Sequence, residues 1–191
     1  FDHQADLRGV YDKRHLVPFG EYVPFRSWVP FLDIIAGPAD FVAGEHNHMI
    51  AVPGIGQVQT LICYEVIFAG QVIAPTNRPD VLVNITNDAW FGTTIGPWQH
   101  LYQSQLRAVE EGIPLVRVAN TGISAAFDGF GRQLGTIPLG TRAYLDIALP
   151  SVLTAPVFAR FGNAGFFALC FGVFGVAWVL YRRERQQAYT I

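Results

Sequence analysis

Two segments of this chain combine residue types capable of covalent chemistry. Thirteen residues are lysine or arginine, and Lys13 is the only lysine. It sits in Tyr11-Asp12-Lys13-Arg14-His15-Leu16-Val17-Pro18-Phe19-Gly20-Glu21. Fifty positions later, Leu61-Ile62-Cys63-Tyr64-Glu65 ends an apolar run. A thiol attacks only as the thiolate, so it needs a cation or amide donors nearby. Lysine supplies a compact point charge, whereas arginine presents a broad fork that never gives up its proton. Lys13 is therefore the one ammonium side chain that can serve Cys63, with Glu21 and Glu65 as candidate partners to hold it. A strand running straight into Cys63 and then into a helix would set the thiol at a sharp turn. Backbone amides would face the oxyanion that forms there. Taken alone, Cys63 reads first as an inert buried thiol; the segments around it reverse that reading.

The elements that must position these residues can be read from the hydrophobic pattern. Residues 1–16 read as the end of a strand. Phe19, Tyr22, Phe25, Trp28 and Phe31 recur every third residue with Pro18, Pro24 and Pro30 between them, so residues 19–37 predict an arm of turns and short helical pieces. Val58–Ile62 predicts a strand ending at Cys63. Residues 66–74 predict a short helix, and 81–86 a second buried strand. Pro97 opens a helix that Gly112 and Pro114 close. Residues 115–119 predict a third strand, and 123–127 with 133–137 an antiparallel hairpin around Asp128-Gly129. Residues 142–149 predict one more strand. Strands and helices alternate first and hairpins follow, the pattern of a mixed, layered α/β domain.

Half of the 191 residues are apolar and the formal net charge is −2, with no basic run before the extreme C-terminus. That argues against nucleic acid as a partner. The apolar excess lies in Phe161–Tyr181, whose 21 residues include Asn163 as the only strongly polar one. At 1.5 Å per residue this spans roughly 31 Å, the thickness of a bilayer's hydrocarbon core. Arg182, Arg183 and Arg185 follow, which predicts a cytoplasmic C-terminus and places residues 1–155 on the exported side. The chain thus divides into a catalytic portion (1–155), a membrane helix with its basic flank (156–185) and a tail (186–191). Phe1-Asp2-His3-Gln4 carries no signal-peptide features, which predicts that export is handled by segments upstream of these residues. Cys170 lies inside the apolar span, so it is not expected to pair with Cys63.

Four segments occur in order: Tyr11–Glu21, Ile62-Cys63-Tyr64-Glu65, Asn87-Asp88-Ala89-Trp90-Phe91-Gly92 and Asn120-Thr121-Gly122. Together they resemble the nitrilase (carbon–nitrogen hydrolase) superfamily. His15–Glu21, Asn87–Gly92 and Gly96-Pro97-Trp98-Gln99-His100 are similar to its membrane-bound apolipoprotein N-acyltransferase branch, over about residues 10–185. The resemblance implies an α-β-β-α sandwich followed by a transmembrane helix, and a Glu-Lys-Cys triad. Cys63 matches the nucleophile, Lys13 the triad lysine and Glu21 a second glutamate of the site; Tyr64 and Glu65 match the residues flanking the nucleophile. The general-base glutamate is expected upstream, because Asp2, Asp6 and Asp12 sit in no matching context. The implied reaction moves an acyl chain from a phospholipid, through a thioacyl-cysteine, to the N-terminal amine of a diacylglyceryl-cysteine lipoprotein at the bacterial inner membrane. It needs no metal or organic cofactor.

Other readings remain open at this level. One is an amidase of the same fold acting on a small amide. Another is a membrane-anchored binding domain without catalysis. Trp90 and Phe91 either shape an acyl pocket or cap the core. Phe19 and Tyr22 are further substrate-binding candidates. Trp98 and His100 read as packing residues, and Asp88 and Asn120 as turn and hydrogen-bonding residues. His46 and His48 read as part of an exposed turn rather than a metal site.

Overall fold

The computed structural model describes residues 4–25, 40–45, 49–74 and 77–188. Its centre is a six-stranded mixed sheet in sequential order. The strands are β1 (Met49–Val52), β2 (Gly56–Ile62), β3 (Val81–Asn87), β4 (Leu115–Asn120), β5 (Ser124–Phe127) and β6 (Gln133–Ile137). β2, β3 and β4 are parallel, in the register Leu61 opposite Asn84 opposite Arg117. β1 pairs antiparallel with β2, and β5 and β6 extend β4 as an antiparallel meander. Toward one face the three parallel strands present buried side chains in register: Gln59, Leu82 and Leu115, then Leu61, Asn84 and Arg117.

The crossover from β3 to β4 is helix α1 (Gly96–Glu111). Pro97 occupies its first turn, where a missing N–H costs nothing. Gly112 ends it in the left-handed conformation (φ 64°), and the Ile113 N–H returns to the Ala108 carbonyl at 3.1 Å. α1 lays Leu101 and Ala108 onto a core of Leu61, Val66, Leu82, Ile113, Leu115 and Phe127. Asp128 fixes the β5–β6 turn by accepting from the Phe130 and Arg132 amides at 3.0 and 2.8 Å. The opposite sheet face is less covered: Ile85 and Val118 are 53% and 54% exposed. The described residues thus supply one sheet and its helical cover, half the layers of an α-β-β-α sandwich.

Beyond the sheet, a short helix α2 (Val157–Phe161) ends at Gly162 (φ 52°), and α3 runs from Ala164 to Ala188. The apolar span therefore starts at Ala164, not Phe161. Over Ala164–Arg182 it has a mean hydropathy of 2.0 and no part of it is buried.

The structure corrects three sequence expectations. Residues 4–16 form no strand, and neither do 142–149. The second segment instead lies beside β6, with Leu145 against Gly135, and the chain then returns to hydrogen-bond Leu153 N–H to the Gly112 carbonyl at 2.9 Å. The helix expected over 66–74 is a 3-10 turn, Cys63–Ile67, that starts earlier and stops sooner. Gly70 at φ 69° cannot continue a right-handed helix. Trp28, Phe31, His46 and His48 lie outside the described residues.

The Gly112 cap supplies a test of the fold. An added Cβ would meet the Pro156 ring at 2.9 Å in a conformation unfavourable to L-residues. Gly112→Ala should lower unfolding stability by about 1–2 kcal/mol, read from urea midpoints at constant m-value.

Candidate active site

Cys63 is the first residue after β2, and its φ is 52°. Left-handed backbone at a side chain of this kind costs about 1–3 kcal/mol and persists only where the surroundings enforce it. Here they do. The Glu65 carboxylate turns back and accepts the Ile62 N–H at 2.7 Å, closing the elbow on its N-terminal side. On the other side, His100 Nε2 lies 3.3 Å from the Cys63 carbonyl oxygen. Cys63 itself is half-buried, in the wall of a cavity of about 440 Å³.

Glu65 is 2% exposed and reaches beyond the elbow. It accepts from the Tyr11 hydroxyl (2.9 and 3.0 Å) and from the Arg14 and His15 amides (2.8 and 3.3 Å). Burial, together with the neighbouring carboxylate, pushes the Tyr11 hydroxyl up to about 12. The expectation that Glu65 would hold Lys13 is therefore corrected. Glu65 holds the backbone that follows Lys13, at Arg14 and His15, and Glu21 alone of the two glutamates holds the ammonium. Lys13 Nζ donates to both Glu21 oxygens, at 2.6 and 2.7 Å, with its side chain only 11% exposed. Glu21 is fixed in turn by the Val17 amide at 2.8 Å.

Lys13 and Glu21 line one cavity, Cys63 and Tyr64 a second, and Glu21 belongs to both walls. Trp90, Phe91, Ile67 and His100 also line the cysteine's cavity, which is mostly apolar. Trp90 is 82% exposed at its rim. Phe91 meets the His100 ring edge-on, 5.7 Å between centroids. Phe19 and Tyr22 lie on the turn that carries Glu21, where the Phe19 amide donates to the Tyr22 carbonyl at 2.7 Å. Neither is in the wall of the cysteine's cavity.

Sequence reasoning missed the buried polar cluster behind the elbow. Asp88 does hydrogen-bond, as expected, but as the centre of an ion-paired group rather than in a turn. Its Oδ1 is 2.9 Å from His100 Nδ1, and its Oδ2 accepts from Arg117 Nη2 at 2.5 Å. Arg117 also reaches Asn84 and Ser104. Burial opposes ionisation of Asp88, but the hydrogen bond from His100 and the charge of Arg117 outweigh it and hold this carboxyl below the usual aspartate range. The available signal was spacing: His100, Ser104, Arg107 and Glu111 lie at i, i+4, i+7 and i+11, one face of one helix.

This cluster predicts an acid-sensitive fold. An unfolded Asp88 binds a proton more readily than the folded one, so its contribution is complete above about pH 5 and is lost as pH falls below about 4. Asp88→Asn should lower stability at pH 7 and flatten the slope of urea midpoint against pH between pH 3 and 5. An unchanged slope would contradict the assignment.

The carbon–nitrogen hydrolase family model matches residues 1–157. The chain is 44% identical over 165 residues to a Bradyrhizobium diazoefficiens protein named apolipoprotein N-acyltransferase, covering 85% of this chain and 31% of that one. The protein of the same name from Rhizobium rhizogenes is 37% identical over 187 residues, covering 95% and 34%. That from Rickettsia prowazekii is 43% identical over 154 residues, covering 80% and 31%. The chain thus spans about a third of the length of these relatives. Among solved structures, Saccharomyces cerevisiae Nit3, of the nitrilase superfamily, superposes with a TM-score of 0.55 at 16% identity, covering 74% of this chain and 48% of that one. That likeness is of fold. With the family model spanning the sheet, the elbow and α1, the chain belongs to the carbon–nitrogen hydrolase family.

Proposed function

We propose that this chain is part of a lipoprotein N-acyltransferase in which Cys63 carries the acyl chain as a thioester. Cys63 Sγ adds to the ester carbonyl of a phospholipid; the carbon–oxygen bond breaks and the lysophospholipid leaves with a proton. The free N-terminal amine of a diacylglyceryl-cysteine lipoprotein then adds to the thioester. The carbon–sulfur bond breaks, the amide forms, and the proton lost by the amine passes to the departing sulfur, restoring the thiol. Each step passes through a tetrahedral oxyanion, for which Lys13, poised by Glu21, is the proposed electrostatic partner.

The observation that carries this reading is a half-buried thiol on an enforced left-handed elbow, opening into a largely apolar cavity. Trp90 and Phe91 would shape that cavity around an acyl chain, and Tyr64 would line its entrance. Phe19 and Tyr22 would contact lipid or acceptor from the Glu21 turn. The unburied apolar helix α3 favours a lipid donor over a small soluble amide. At its end Arg182 stacks over Trp178 and Arg185 over Tyr181, at 5.0 and 5.1 Å. Aromatic rings paired with arginines suit a membrane interface. We place residues 1–155 on the exported side of a bacterial inner membrane, the apolar helix over Ala164–Arg182 through it, and the C-terminus in the cytoplasm. The general base is assigned to a glutamate of the full-length protein outside these residues.

The test is acyl transfer by the full-length protein in membranes, with phospholipid labelled in its acyl chain. The expected result is a label on Cys63, sensitive to hydroxylamine, that moves to a lipopeptide amine when one is added. Discharge to water alone would indicate an amidase, and no label at all a binding domain. Lys13→Arg should reduce labelling at least about a hundredfold, because a guanidinium fork cannot reproduce the ammonium's position against Glu21. A fully active arginine variant would remove the role given to Lys13.

A further inference from the structure

Helix α1 buries a polar stripe where a core helix is ordinarily apolar. His100, Ser104, Arg107 and Glu111 are each 5% exposed or less. The stripe grips the segment that begins at Cys63 from both ends. Arg107 Nη1 donates to the carbonyl of Ile67, the last residue of the 3-10 turn, at 3.1 Å. His100 Nε2 faces the carbonyl of Cys63, the first, at 3.3 Å. Asn84 Nδ2 lies 3.1 Å from the Leu61 carbonyl and 3.5 Å from that of Cys63, so its main commitment is to Leu61.

The Cys63 carbonyl therefore depends chiefly on one imidazole. A carbonyl oxygen only accepts, so Nε2 carries the hydrogen. The other ring nitrogen lies 2.9 Å from Asp88 Oδ1, an acceptor, so it too carries a hydrogen and donates to that carboxylate; Arg117 Nη2, 3.2 Å from the ring nitrogen, donates to Asp88 Oδ2. With Asp88 accepting at one ring nitrogen and the Cys63 carbonyl at the other, the ring plane is fixed. Phe91 packs against the ring in a T-shaped contact, 5.7 Å between centroids. The backbone at Cys63 is left-handed, and the bonds to its carbonyl and to the Ile62 amide hold the elbow from which the side chain projects.

We propose that His100 is a positioning residue for the thiol: oriented by Asp88 and Arg117, its Nε2–H holds the Cys63 carbonyl and thereby fixes the elbow that aims Sγ into the cavity. This rests on Cys63 being the nucleophile. His100 touches no reacting atom in this role, and Asp88 and Arg117 act only through it.

The experiment is the second-order rate of Cys63 alkylation by iodoacetamide in the full-length protein, read by mass spectrometry of the Cys63 peptide. This readout needs no acyl donor. Failure of acyl labelling in the wild type would therefore sink the acyltransfer reading without touching this measurement. His100→Asn places its amide near the Nδ1 position, keeping Asp88 company but losing the Cys63 carbonyl; the rate should fall about tenfold. His100→Gln extends a donor to the Nε2 position and should recover most of that loss. His100→Phe keeps the ring and removes both nitrogens, giving a second donorless variant should the asparagine variant fail to fold; it should be slow like His100→Asn. Equal rates for the glutamine variant and a folded donorless variant, whether both slow or both at the wild-type value, would overturn the proposal.

Discussion

The structure depends on one buried carboxylate that touches neither the lysine nor the thiol. Glu65 gathers the Tyr11 hydroxyl and three backbone amides, from Arg14, His15 and Ile62. Two of those amides follow Lys13 directly, and the third precedes Cys63. Segments fifty positions apart in sequence are thus fastened at a single point. Charge-assisted bonds of this kind contribute about 1.5–3 kcal/mol each, and a buried carboxylate left without them would be strongly unfavourable. The fold satisfies Glu65 only when the lysine segment lies against the elbow. Stability of the region and geometry of the site therefore rest on the same bonds.

A second constraint works from behind. β3, β4 and α1 each contribute polar side chains to one buried cluster, Asn84, Asp88, Arg117, His100 and Ser104. Placing an ion pair there is costly unless every member is paired. The parallel register supplies the pairing: Asn84 stands opposite Arg117, and Asp88 follows the end of β3. Gly122 closes the arrangement, since any Cβ there would strike the Asp88 carboxylate. The elbow is held by Glu65 in front and by α1 behind, which leaves the backbone around Cys63 little freedom.

Much of this was legible in the sequence. β2, β3, β4 and α1 follow from apolar runs and from Pro97 and Gly112, because those signals are local. The β5–β6 hairpin follows from Asp128-Gly129. The elbow was foreseen in outline, since a strand leading directly into Cys63 leaves little alternative, and the four motif segments pointed to the family. Strands expected over 1–16 and 142–149 failed because strand formation needs a neighbour, and neighbours are not written locally. β1 went unread for the same reason: Met49–Val52 is four residues long and exists by pairing with β2. The buried cluster was the least legible part. Ser104, Arg107 and Glu111 were not singled out, because partners such as Asn84 and the Ile67 carbonyl are distant in sequence. Glu65 was singled out, but for the wrong partner, because sequence order gives no hint that a carboxylate will prefer backbone amides to an ammonium.

The most direct test of the Glu65 fastening is the reactivity of Cys63 in Glu65→Gln. The substitution keeps size and shape but turns one acceptor into a donor facing other donors. If the fastening governs the site, the alkylation rate of Cys63 in the folded, full-length variant falls by about tenfold or more, and Glu65→Asp does not restore it because the shorter side chain cannot span both segments. A folded Glu65→Gln protein whose Cys63 reacts at the wild-type rate would contradict the account.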